Sequence, residues 1–113
     1  MKLTELEAEF LKRIDDTHFQ RVDALEGADG IIFVCPKCVV ANGNSRRGIH
    51  SVICWQPHVP QTTHPTPGRW KFTGTWYADL TLDGAPGKSR SILLTGGGCG
   101  WHGYITNREI TSA

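Results

Sequence analysis

The sequence has no long hydrophobic run. No apolar stretch approaches the roughly 18 residues that a membrane span needs, so no membrane partner is expected. It lacks the basic and then apolar opening of a signal peptide. "MKLTELEAEF" carries Glu5, Glu7 and Glu9 instead, and the expected compartment is cytoplasmic. HExxH is absent, and no H-x-E accompanies the CxxC, so neither a metalloprotease helix nor a nucleoside-deaminase zinc site is supported. There is no internal repeat. Net charge is nearly absent too, at +1, which by itself predicts no partner.

What is present suits one folded domain over residues 1–113. Hydrophobic residues make up 39% and charged residues 20%, outside the range of disordered chains. Charge is unevenly placed: residues 1–29 hold eight acids against four bases, and the rest holds eight bases against three acids. A basic C-terminal part could meet an anionic partner, although such runs are usually solvated faces.

The pattern along the chain predicts a mainly β (α+β) fold: a small antiparallel sheet, zinc-ribbon-like, with one short N-terminal helix. "LTELEAEFLKRI" supplies that helix, with Thr4 and Glu7 in capping-box spacing and Leu3, Leu6 and Phe10 on one face. "THFQRVDAL" is a weak strand, and "LEGADG" a turn. "IIFVC" and "IHSVICW" are strands on either side of the loop "ANGNSRRG". "QPHVPQTTHPTPG", with four prolines, is an extended surface loop. "RWKFTGTW" is a strand, a short strand then turns at Asp83-Gly84, and "SILL" runs as a strand into Gly96–Gly98. "HGYITNREIT" is a closing hairpin that turns near Asn107-Arg108.

The cysteines and histidines carry the chemistry. Four cysteines in a reducing compartment are more often metal ligands or thiols than disulfides. Cys35-Pro-Lys-Cys38 at a strand end has the form of a zinc knuckle. A redox CxxC would sit at a helix N-terminus, and "VVANGNS" is a poor helix start. Cys99-Gly-Trp-His102 offers a second knuckle after flexible glycines. Together they predict structural Zn2+ held by Cys35, Cys38, Cys99 and His102. Cys54 is the alternative fourth ligand, giving an all-cysteine site that leaves His102 free; a buried structural thiol is its plainer role. His50 and Cys54 share a strand face but stand about 13 Å apart, so one ion cannot take both. His50 is either a half-buried structural histidine or a general base. His58 and His64 fall in the proline loop, where a surface role is the default.

Two function classes follow. In the first, a hydrolase, Ser89 and Ser91 lie on one strand face leading to the glycines. Ser91 is the candidate nucleophile, and the N–H groups of Gly96 to Gly98 form a candidate oxyanion hole. The base is His50, or His102 if the zinc site is all-cysteine. The plainer reading is a hydrogen-bonding strand serine. In the second class, a binding module for protein or, with weaker support, nucleic acid, aromatics among Trp55, Trp70, Trp76, Tyr77, Trp101 and Tyr104 stack. Arg46, Arg47, Lys88 or Arg90 then pair with phosphate. Against this, tryptophans usually fill the core of a small sheet.

Taken together, "FVCPKC", "HSVICW", "SRSILL" and "GCGWHGYI" resemble a family of small phage and prophage proteins with CPxC and GCxxH knuckles. Similarity to the phage branch covers most of the chain. Distant relatives stand in bacterial operons for ubiquitin-like conjugation, and there only the knuckles, the Ser-x-Ser-Ile strand and the Gly-Cys-x-x-His turn are similar. The resemblance implies a small peptidase acting on a ubiquitin-like or host protein, with Ser91 (or Ser89) as nucleophile and His102 as base or zinc ligand. It also implies a host cytoplasm and a host protein as partner. This sequence departs from the distant branch at Arg90, where proline is typical, and at Trp101, where serine often precedes the histidine.

Overall fold

Two adjacent buried residues decide the N-terminal segment. Phe10 and Leu11 are both fully buried but in two different clusters, as successive residues of a strand covered on both faces are. In this computed structural model, which describes all residues except 46, 86 and 95–98, the expected helix is replaced. Leu3–Glu5 makes a single 3-10 turn, Glu7 takes φ 54°, and strand β1 follows at Glu9–Arg13. The left-handed backbone at Glu7 ends the turn before an α-helix can propagate.

β1 pairs antiparallel with β2 (Phe19–Val22) and β3 (Gly30–Val34), and β3 pairs with β4 (Ser51–Trp55). The resulting sheet has the order β2-β1-β3-β4. Phe10, Ile31, Phe33, Val52 and Cys54 face the main core, while Leu11 joins Trp55 and Val59 in a second cluster, with Ile32 and Ile53 packed against it. Burial on both sides explains the unbroken apolar run "IIFV". Gly30 sits opposite Trp55, and a Cβ there would lie 2.5 Å from Trp55 Cε3, so this strand position accepts only glycine.

The expected antiparallel β character holds, distributed over three sheets. β5 (Trp70–Thr73) pairs with β6 (Thr81–Gly84), so Asp83 and Gly84 end a strand and the turn lies beyond them. β7 (Ile92–Leu93), β8 (His102–Thr106) and β9 (Glu109–Ser112) form the third sheet. Its hairpin turns at Asn107 and Arg108, both at positive φ, as a tight two-residue connection between twisted strands requires. Trp70, Phe72, Leu82, Ile92, Ile105 and Ile110 from these sheets complete the main core.

The short helix lies elsewhere than expected. α1 spans Pro36–Ala41, with Pro36 in its first turn and Cys35 as N-cap. Proline's fixed φ and missing N–H suit a helix start. "VVANGNS" is therefore the second half of a helix and its exit, with Gly43 and Asn44 at positive φ.

The proline loop is organised by a buried cation. Arg69, 7% exposed, donates from Nε to Val59 O, from Nη1 to Pro65 O and Gly68 O, and from Nη2 to Pro60 O and Thr63 O. One guanidinium thereby ties together a segment whose own backbone bonds are local turns, such as Val59 N–H to Gln56 O and Thr63 N–H to Pro60 O.

Asp29 joins the loop to the first sheet by accepting from Arg13 N–H (2.7 Å) and pairing with His58 Nε2 (2.8 Å). Burial pushes its pKa up, but the bonds from His58 and Arg13 outweigh that and hold it below the ordinary value. A depressed carboxyl stabilises the fold above the unfolded-state pKa of about 4 and loses that contribution as pH falls through the folded value. Asp29→Asn is expected to cost about 1 kcal/mol at pH 7 and to flatten the acid limb of a stability-versus-pH curve. An unchanged acid limb in urea titrations would show that the pair contributes nothing.

Candidate metal centre

Strand pairing builds the site. β3 ends at Val34 opposite Ser51, and one step further Cys35 N–H donates to His50 O at 3.0 Å. The antiparallel register thus sets His50 directly across from Cys35. One turn into α1, Cys38 returns to the same point, with Val39 N–H bonded to Cys35 O at 3.0 Å. Cys99 arrives from the third sheet just before Gly100, whose φ of +61° turns the chain into β8.

The four ligand atoms of Cys35, Cys38, His50 and Cys99 all lie within 4.8 Å of one another. Cys35 Sγ is 3.5 Å from Cys99 Sγ, and His50 Nε2 is 3.3 Å from both Cys38 Sγ and Cys99 Sγ. A zinc tetrahedron with Zn–S near 2.3 Å and Zn–N near 2.0 Å has edges of about 3.5–3.8 Å. The cluster brackets that size and could hold a metal ion. The backbone N–H groups of Cys38 and Trp101 act on Cys35 and Cys99 in the direction that favours the thiolate. Lys37 Nζ donates to Cys99 O at 2.7 Å, clamping the two arms.

The thiols are not equivalent. Burial pushes Cys35 up to about 12, and burial also raises Cys38. At Cys99 burial acts upward, but the Trp101 N–H and the bonds from His50 and the other two thiols bring it down to about 6. Cys35-Pro-Lys-Cys38 does stand at a helix N-terminus, the placement expected of a redox CxxC, but a redox site needs its N-terminal thiol lowered, and burial raises Cys35. All four cysteines are free.

The histidine in the cluster is His50, where the sequence pattern pointed to His102. Strand alternation explains the difference. Trp101 is 2% exposed and points into the core against Phe33, so the next residue, His102, opening β8, points out to solvent beside Tyr104. Cys54, also weighed as a ligand, is wholly buried in the main core opposite Ile31 and lies outside the cluster. Pairing "IIFVC" with "HSVICW" as a hairpin would have set Cys35 against His50; read as separate strands, they give no such signal.

The candidate catalytic residues are not brought into hydrogen-bonding contact. Ser91 Oγ is bonded to Ser89 Oγ at 2.9 Å, and Ser91 N–H to the same Ser89 oxygen. Among the described residues no histidine bonds Ser91, and His50 turns its Nε2 to two sulfurs. Ser91 and His50 do line one cavity of about 480 Å³. The candidate oxyanion-hole glycines, Gly96 to Gly98, and the candidate phosphate-binding Arg46 lie outside the described residues.

Of the candidate stacking aromatics, Trp55, Trp70 and Trp101 are buried, Tyr77 OH accepts from Phe10 N–H, and only Trp76 is largely exposed. Arg90 sits over the Tyr104 ring and donates to Ile105 O and Thr106 Oγ1. Among the described residues no helix is long and apolar enough to cross a membrane.

Comparison with protein-family models, curated proteins and solved structures finds no match for this chain.

Proposed function

We propose that this is a zinc-stabilised β domain serving as a non-catalytic binding module for a protein partner. The observation that carries this reading is the convergence of His50 Nε2 on the sulfurs of Cys38 and Cys99, which with Cys35 makes a four-ligand Cys₃His set. Four protein ligands fill a tetrahedron and leave no open position for water or substrate, the mark of a structural zinc. The ion would join the end of β3, the first turn of α1, the start of β4 and the loop before β8. Those elements come from two different sheets. In a ligand set of this kind His50 is a structural residue, and the Ser91 hydroxyl stands without a base.

The hydrolase reading keeps one observation in its favour, the shared cavity of Ser91 and His50. The resemblance to peptidases and to phage proteins adds to it from sequence alone. A fluorophosphonate probe separates the two readings. The binding-module account expects the zinc-loaded protein to remain unlabelled under conditions that label a known serine hydrolase. Labelling that disappears in Ser91→Ala would replace it with the peptidase.

A further inference from the structure

Among the described residues, β4 is an edge strand of the first sheet and β7 an edge strand of the third. Both line the same cavity of about 480 Å³, β4 through Ser51 and Ile53, β7 through Leu93. Antiparallel alternation says which backbone groups face it. Cys35 N–H bonds His50 O and Gln56 N–H bonds Asp29 O, so even-numbered residues of β4 address β3. Ser51 and Ile53 then turn N–H and C=O to the open edge. By the same parity, Leu94 N–H bonds Trp101 O, and Leu93 presents its own groups outward.

Proteins usually blunt such edges with lysine, proline or a covering loop. Here the proline loop covers the far end of β4, where Trp55 Nε1 donates to His64 O. The Ser51–Ile53 stretch is left to the cavity. The occupant such an edge selects is another polypeptide in β conformation, because it alone offers donors and acceptors at strand spacing. The apolar wall of Trp70, Ile92 and Leu94 suits alternate apolar side chains.

Charge narrows the occupant further. A second cavity of about 390 Å³ shares Pro67, Gly68, Trp70 and Ser91 with the first and is lined by Lys88 and Arg69. Among the described residues no aspartate or glutamate lines either cavity. We infer that the cleft between β4 and β7 binds an extended apolar peptide segment of a partner protein as an added strand on β4, with an acidic residue of that segment directed toward Lys88. This rests on the binding-module reading and names its ligand class.

The test starts from protein shown by native mass spectrometry to carry zinc, so failure of the zinc reading appears before any peptide is used. A displayed library of random octapeptides is selected on it, and enriched sequences are synthesised with a fluorophore. The expected winners alternate apolar residues and carry an aspartate or glutamate. They bind with a Kd of roughly 1–100 μM and shift the amide resonances of Ser51, Ile53 and Leu93. N-methylation of alternate peptide amides in the edge-facing phase weakens binding more than about tenfold, since it removes the strand hydrogen bonds. Leu93→Arg, at a position 52% exposed and so tolerant of change, weakens binding by about tenfold with zinc content unchanged. Lys88→Glu weakens it several-fold. No enriched sequence family, shifts confined to another surface, or binding indifferent to N-methylation in both phases would overturn the proposal. Self-association of the chain through the same edge would overturn it too.

Discussion

Cys35→Ser is expected to abolish metal binding and to lower the melting temperature by roughly 15–25 °C. Cys35 is wholly buried, stands at the N-cap position of α1 and faces His50 across the β3–β4 ladder, so it lies where β3, α1 and the start of β4 meet. Structural zinc contributes about 10–16 kcal/mol in small finger peptides that are unfolded without it. Here an apolar core running from Leu3 to Ile110 adds its own stability, so the expected loss is smaller, on the order of 4 kcal/mol. In a domain of this size 1 kcal/mol corresponds to about 4–6 °C, which sets the range. Chelation of wild type should reproduce the drop, and chelation of Cys35→Ser should add nothing. Thermal unfolding with and without chelator reads both. A wild type indifferent to chelation would remove the structural role.

Arg69→Ala is expected to cost about 4 kcal/mol and to lower the melting temperature by roughly 15–25 °C. Its guanidinium serves five carbonyl oxygens, two of them, Val59 O and Thr63 O, through bonds buried from solvent. Buried carbonyls left without donors cost about 1–3 kcal/mol each, less whatever water regains on relaxation. Arg69→Lys should recover only a minor part, because a single ammonium cannot reach carbonyls arranged around a planar fork. Burial pulls the Arg69 pKa downward, yet no carboxylate accompanies it among its hydrogen-bond partners, so the charge is held by carbonyl dipoles alone. Equal melting temperatures for Arg69→Lys and wild type would show that charge, and not the fork, organises the loop.

The strands were legible where burial leaves an unambiguous mark. "IIFV" and "HSVICW" carry unbroken or alternating apolar residues, and Asn107-Arg108 sits between two alternating runs. The N-terminal segment misled because Leu3, Leu6 and Phe10 fit helical spacing, whereas Leu11 belongs to a second cluster that periodicity on one face cannot reveal. For α1 the signal was present but weak: proline just inside the start and glycine just past the end.

At the candidate metal centre, three cysteines were legible from their spacing. The histidine depended on strand register, a long-range property that neither knuckle encodes. His102 has the right distance from Cys99 in sequence, but Trp101 takes the inward position and turns it away. The buried Arg69 was invisible as well, since nothing local distinguishes it from a solvated base.

The most direct test of the account is the zinc-to-protein ratio of wild type, His50→Ala and His102→Ala, purified side by side. The geometry predicts one zinc per chain in wild type and in His102→Ala, and loss of most of the metal in His50→Ala. Zinc retained by His50→Ala but lost from His102→Ala would contradict the site built here and place the fourth ligand on β8.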